Sequence, residues 1–246
     1  MIEIRALDFN YEKSRALKNI NIEIDDSCTG FLGPNGSGKT TILKLLSGIL
    51  DLTSGDIFID DKSILDISKK ELSRIFAIVT QDLEPTFDFT VREIIEMGRY
   101  PYLNTLGFLS KKDKLVIDET IEMLGLTNLS HNNVDEISSG QKQIVRIARA
   151  LVQEPEYLLL DEPTSNLDLS NKILILEMIK NIISNGTKVI VTSHDLRFIA
   201  EVSKKCFMIS EGNIIHQGDT KNILNKNNVL DLFNLNTLPE LSLIHI

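Results

Sequence analysis

Phe31-Leu32-Gly33-Pro34-Asn35-Gly36-Ser37-Gly38-Lys39-Thr40-Thr41-Ile42-Leu43-Lys44-Leu45-Leu46 is the stretch whose reading decides the fold. Phe31 and Leu32 end an apolar run suited to a buried strand, and Thr41 to Leu46 carry on as a helix. Between them the residues fit G-x-x-x-x-G-K-[ST]. The glycines let the backbone curl so that successive N–H groups point at phosphate oxygens. The helix that follows presents its positive end to the same anion. Lys39 is placed to reach the β- and γ-phosphates and the Thr40 hydroxyl to ligate Mg²⁺. Such a loop binds a nucleoside triphosphate but names no reaction, because kinases, GTPases, helicases and transport ATPases all carry one.

The discriminating residues lie downstream. Tyr157-Leu158-Leu159-Leu160 is a short continuous apolar run ending in Asp161-Glu162. That composition suits a strand buried on both faces of a parallel sheet. The carboxyl end of such a strand lies beside the phosphate loop. Asp161 is then placed to hold Mg²⁺, a hard cation that prefers oxygen ligands. Glu162, one residue on, is placed to polarise an attacking water as general base. His194 follows the apolar run Lys188–Thr192, and Gln81 follows Ile75–Val79, each at the same edge. His194 there either senses the γ-phosphate or is structural; Gln81 either approaches Mg²⁺ or is a surface glutamine.

Outward from these landmarks, Ile2, Ile4, Ile20, Ile22 and Ile24 alternate with other residues and predict two half-buried strands of an antiparallel edge sheet. Gly55–Asp60 predicts a further strand, and Cys206–Ser210 with Asn213–Gln217 a hairpin around Glu211-Gly212. From about Thr90 to Asn133 strands give way to helices. Val91–Met97 has helical spacing, and Ser110 to Asp113 resembles a capping box opening a helix that carries Leu115, Ile117, Ile121 and Leu124. Gln143–Val152 predicts an amphipathic helix with Ile144, Ile147, Ala148 and Leu151 on one face, and Leu169–Ile183 another. The expected fold is therefore α/β: a nucleotide-binding core with a mostly parallel sheet, an antiparallel β edge sheet and an inserted α-helical subdomain.

Composition narrows the function. The chain has 246 residues, 42% hydrophobic and 25% charged, ordinary values for a globular protein. A formal net charge of -9 disfavours nucleic acid as a partner. Cys28 and Cys206 stand far apart in no metal-ligand spacing and read as buried thiols. The N-terminus lacks a signal-peptide core, and no apolar run approaches the roughly 20 residues of a membrane span. A soluble, cytoplasmic protein is expected, reaching a membrane only through a partner.

Taken in order, GPNGSGKT, Gln81, Ile137-Ser138-Ser139-Gly140-Gln141, LLLDEP and His194 closely resemble the ATP-binding cassette family. Ser138-Ser139-Gly140-Gln141 looks like the family signature, usually LSGGQ. It is a second helix N-terminus with a serine hydroxyl and no phosphate of its own. The resemblance implies that this signature closes on ATP held by the loop of another subunit, so that two cassettes sandwich two nucleotides. It implies Glu162, His194 and Lys39 as catalytic residues and Thr40, Gln81 and Asp161 as the metal site. Nucleotide would be bound by Gly33, Pro34, Asn35, Gly36, Ser37, Gly38, Lys39, Thr40 and Thr41, with Ser138, Ser139, Gly140 and Gln141 facing it from the second subunit. Tyr11 matches the aromatic that stacks on adenine, with a core or edge-strand tyrosine as the alternative. Ser165-Asn166-Leu167-Asp168 matches the loop that communicates across the dimer.

Three positions depart from the family pattern. Ile137 stands for Leu, Ser139 for the first Gly of the signature, and Asp25-Asp26-Ser27 lacks the usual Gly-Glu turn. Ser139 restricts close backbone approach but brings a hydroxyl. Phe87 to Glu93 and Met97 to Leu103 look like the ATPases of iron-siderophore, haem and cobalamin importers. The implied function is the ATP-hydrolysing subunit of such an importer, with cofactors ATP and Mg²⁺. Its implied partners are a second ATPase subunit, a polytopic permease contacted through the helical subdomain and, indirectly, a solute-binding protein, all at the cytoplasmic face of the membrane. The resemblance spans residues 1–225, with the subdomain at about 90–135, and leaves 226–246 as an extension of unknown role. Alternatives are a soluble cassette ATPase serving iron–sulfur assembly, a DNA-associated machine, and a regulator that binds nucleotide without turnover.

Overall fold

The computed structural model describes residues 1–12, 14–80, 88–104 and 106–235. Among the described residues, ten strands form two sheets. The first four-stranded sheet contains β1 (Ile2–Tyr11), β2 (Ser14–Ile24), β4 (Ser54–Ile59) and β5 (Lys62–Ser63), ordered β2-β1-β4-β5 and antiparallel throughout. The expected isoleucine alternation is its cause: Ile2, Ile4, Ile20, Ile22 and Ile24 all point inward and are buried.

The second sheet has six strands: β3 (Cys28–Leu32), β6 (Phe76–Val79), β7 (Tyr157–Asp161), β8 (Lys188–Ser193), β9 (Lys205–Ser210) and β10 (Asn213–Asp219). Their order is β10-β9-β3-β8-β7-β6, all parallel except the final β9–β10 hairpin. The continuous apolar runs are explained by burial on both sides. Phe31, Tyr157, Leu159, Ile190, Phe207 and Ile209 face the antiparallel sheet and α1 (Lys39–Leu46). Leu32, Leu158, Leu160, Val189, Val191 and Met208 face a helical layer on the other side.

That layer includes α3 (Val91–Glu96), α4 (Lys111–Met123), α5 (Ser139–Leu151), α6 (Leu169–Ser184) and α7 (Leu196–Val202); α2 (Lys69–Ile75) leads into β6. Thr90, Ser110 and Ser138 each open a helix with a reciprocal capping box. Of the four apolar residues expected on α4, one stays outside the core. Ile117, Ile121 and Leu124 are buried, but Leu115 is 60% exposed, two positions off their 3–4 residue period. Ile75 likewise ends α2 rather than starting β6. After β10 come α8 (Thr220–Ile223) and α9 (Lys226–Leu232), whose Val229 and Leu232 are fully buried in the helical-side core. The packed body therefore runs past residue 225. No described helix is long and apolar enough to cross a membrane.

Between α3 and α4, a 3₁₀ segment at Met97–Tyr102 docks on the far end of α5. Arg99, 1% exposed, donates to Asp113, to the Val152 carbonyl and to Glu154. Its guanidinium lies 3.9 Å from the centre of the Tyr102 ring. Of the aromatics in this stretch, Tyr102 is thus half-buried, Phe89 packs against the core and Tyr100 is 75% exposed. Phe87, like Gln81, lies outside the described residues.

Candidate active site

Parallel strands end together at one edge of the sheet, and the described chemistry-bearing residues leave from the ends of β3, β7 and β8. After β3 the chain curls through Gly33–Gly38 into α1. Gly36 and Gly38 hold φ of 78 and 109, backbone that a side chain resists. A methyl on Gly38 would also stand 2.7 Å from the Ala16 carbonyl of β2. Lys39 is buried, and its ammonium donates to the carbonyls of Gly33 and Pro34 at 2.8 and 3.0 Å. Burial pushes its pKa down, against the opposing pull of Glu162 and Asp161. Two neutral carbonyls compensate a buried charge weakly; a phosphate oxygen would serve it better.

The β7 end supplies the acids. Thr40 shares its hydroxyl hydrogen between the two Asp161 oxygens, at 3.0 and 2.8 Å. Glu162 leaves the strand in the left-handed region, φ 49. Its amide donates to the backbone oxygen of Thr192 at 3.2 Å and to the Thr192 hydroxyl at 3.1 Å. One carboxylate oxygen of Glu162 lies 2.8 Å from His194 Nδ1. The other, Oε1, is buried and makes no hydrogen bond, although Lys39 Nζ stands at ion-pair distance, 3.4 Å. Glu162 is thus held between two groups, Lys39 at Oε1 and His194 at Oε2.

One cavity of about 610 Å³ gathers Tyr11, Asn35, Gly36, Gly38, Lys39, Thr40, Thr41, Asp161, Glu162 and His194. Gly33 and Ser37 are buried in the floor of the loop, with Pro34 half-buried beside them. Tyr11 is 43% exposed at the mouth, edge-to-face with Phe9 and within 3.4 Å of the Thr41 hydroxyl. The ring is not a core tyrosine; it lines the cavity from the end of β1. Ser14, Arg15, Ala16, Ser165 and Asn166 complete the wall. The first three come from β2, which no sequence signal linked to the loop. Among the described residues, no group of three or more His, Cys, Asp or Glu could hold a metal unaided. Thr40 and Asp161 do offer adjacent hard oxygens, the partial set that suits Mg²⁺ shared with phosphates.

The structure holds Ser138, Ser139, Gly140 and Gln141 apart from this cavity, at the start of α5. Ser138 accepts from the Gln141 amide at 3.3 Å while Gln141 Oε1 accepts from the Ser138 amide at 2.9 Å. Ser138 and Ser139 are exposed and Gly140 is buried. A methyl on Gly140 would lie 2.2 Å from Asn171 Oδ1. Asn171 is itself pinned to Asp168, the N-cap of α6. Ser139 does share a smaller cavity, of about 360 Å³, with Asp161, Glu162, Ser165 and Asn166.

Known proteins resemble this chain in sequence and fold. The family model for ABC transporters matches residues 17–165. The petrobactin import ATP-binding protein of Bacillus anthracis is 32% identical over 95% of this chain and 93% of its own length. An inward-facing transporter assigned to the metal-chelate ABC type is 29% identical, with TM-score 0.82 over 95% of this chain and 88% of the matched one. A dimeric ATP-binding cassette in a post-hydrolysis state with ADP and Pi is 26% identical, with TM-score 0.75 over 89% and 99% of the two chains.

Proposed function

The chain belongs to the ABC transporter family as an ATP-binding, ATP-hydrolysing importer subunit, and from that premise we propose that its transporter carries a siderophore-bound or related metal chelate. The observation that carries the enzymatic part is the convergence of Lys39, Thr40, Asp161, Glu162 and His194 on one cavity at the strand ends. The loop amides and the α1 N-terminus bind the triphosphate, and Lys39 exchanges its carbonyl partners for phosphate oxygens. Tyr11 takes the adenine face. Glu162 Oε1 receives the proton of the attacking water, while His194 holds Oε2 and orients the carboxylate. Thr40 and Asp161, with Gln81, would hold Mg²⁺, which neutralises phosphate charge when bound.

Each chain supplies half of two sites. Ser138, Ser139, Gly140 and Gln141 close on nucleotide bound by another copy, a reading supported by the dimeric cassette with ADP and Pi. We read residues 1–225 as the ATPase domain and about 90–135 as its helical subdomain, with 226–246 an extension whose first helix packs on the body. The subdomain exposes Tyr100, Leu106, Phe108 and Leu115, at 75, 79, 66 and 60%. That apolar surface suits a permease loop at the cytoplasmic face of the membrane. A solute-binding protein would act only through that permease.

The test is to co-express the chain with candidate permeases and assay chelate-stimulated ATP turnover in liposomes. Stimulation by a metal chelate supports the proposal. Full turnover that needs only soluble partners would move the chain to the cytosolic cassette ATPases.

A further inference from the structure

Thr192 holds both acids of the site with one hydroxyl. It is the β8 partner of Asp161 in the parallel register and is fully buried. Its Oγ1 donates to Asp161 Oδ1 at 2.6 Å and accepts from the Glu162 amide at 3.1 Å. The direction of this chain is fixed. An amide can only donate, so the hydroxyl hydrogen is committed to Asp161, and an ionised carboxylate can only accept. Nothing in the relay can reverse while Asp161 is charged.

Each end has a reason to need it. Glu162 sits at φ 49, one residue past β7, and its amide is shared between the Thr192 backbone oxygen at 3.2 Å and the Thr192 hydroxyl at 3.1 Å. Among the described residues, Asp161 Oδ2 accepts from Thr40, whereas Oδ1 accepts from both Thr40 and Thr192. A carboxylate with one oxygen clamped by a buried hydroxyl cannot rotate freely about its χ2 bond, and that keeps Oδ2 turned toward the phosphate loop. Valine has nearly the shape of threonine and would suit this buried strand as well for packing. The hydroxyl is therefore costly to bury unless it is hydrogen-bonded, and here it is used twice.

We propose that Thr192 is a positioning residue that aligns the metal-side acid Asp161 and the general base Glu162 through this single hydroxyl. The proposal rests on the functional reading above, in which Asp161 faces Mg²⁺ and Glu162 faces the water. It adds a residue outside the loop, the acid pair and His194.

The experiment compares wild type with Thr192→Val and Thr192→Ser, with Thr192→Ala in reserve should valine not fold. ATP turnover at saturating Mg-ATP is measured beside fluorescent-nucleotide affinity with Mg²⁺ and with EDTA. Loss of a hydrogen bond to a charged group predicts that Thr192→Val lowers kcat by roughly tenfold to a hundredfold. It should also lose most of the tightening that Mg²⁺ confers on nucleotide, while affinity in EDTA and the thermal midpoint stay near wild type. Thr192→Ser, keeping the hydroxyl, should retain at least about half of kcat and the Mg²⁺ effect. A Thr192→Val enzyme matching wild type in kcat and in its Mg²⁺ response would overturn the proposal. So would a serine variant as impaired as the valine one, since methyl packing would then be what matters. If wild type itself neither binds nor hydrolyses ATP, the functional reading fails instead, a result the Thr192 variants cannot produce.

Discussion

Arg99→Met should cost this fold a large part of its stability. Arg99 and Asp113 are 1 and 3% exposed. Two guanidinium nitrogens reach Asp113 Oδ1 at 2.9 and 2.6 Å, and a third reaches the Val152 carbonyl at 2.6 Å. The contact to Glu154, whose side chain is 44% exposed, contributes little. Removing the arginine leaves a buried carboxylate without its counter-charge, about 3–5 kcal/mol, and an unpaired carbonyl at the end of α5, about 1 kcal/mol more. Domains typically hold only about 5–15 kcal/mol in total. Urea unfolding followed by circular dichroism reads the loss directly as a lower midpoint.

The pH dependence carries a sign. Burial alone would raise the Asp113 pKa, but the hydrogen bonds from Ser110 and Arg99 outweigh it and hold it below the ordinary aspartate range. A depressed carboxyl stabilises fully above its unfolded pKa and loses that as it protonates. The gap between wild type and Arg99→Met should therefore narrow as pH falls, starting where the unpaired Asp113 of the variant takes up its proton and continuing until the wild-type carboxyl is protonated too. A loss under about 1 kcal/mol at pH 7, within the range of an exposed ion pair, would refute the claim that a desolvated charge is at stake.

Other outcomes follow from the site and its supports. Glu162→Gln should lower ATP turnover by about 10²–10⁴-fold while leaving nucleotide affinity intact, read by phosphate release beside equilibrium binding. Gly140→Ala should lose activity because its methyl meets Asn171, and Gly140→Ala with Asn171→Gly should recover part of it; no recovery would trace the loss to phosphate approach instead. Burial pushes both thiols, Cys28 and Cys206, up to about 12, so neither should react with a thiol reagent at pH 8 until the protein unfolds.

The phosphate loop and the acidic strand end were legible because their chemistry is local: glycines, a lysine and a pair of acids set by a few adjacent residues. The sheet was legible through alternation, and the helix starts through capping residues. What the sequence hides is chemistry set by distant partners. Arg99 looks like a solvated charge, yet it is buried by residues 14 and 53 positions away in the chain. Thr192 looks like any β-branched strand residue until the parallel register sets it opposite Asp161. Leu115 lies out of phase with Ile117 and Ile121 and stays exposed, which its apolar character alone does not show. The β2 wall of the cavity had no signal either, because only tertiary packing brings that edge strand to the loop.

The two ends of α5 give its middle a mechanical meaning. At one end the helix presents Ser138 to Gln141, and at the other the Arg99 clamp ties it to the 3₁₀ segment. Its middle, with Ile144, Val145 and Ala148, is gripped in the same core as Val91, Ile94 and Ile95 of α3. Thirteen residues make a rod about 20 Å long. A rod fastened at its end and along its middle resists tilting by itself, so a push at the outer surface of the helical layer would reach Ser138 to Gln141 as movement of the whole helix. The helix is a strut, and its stiffness would set how much of a membrane partner's movement arrives at the nucleotide of the opposing chain.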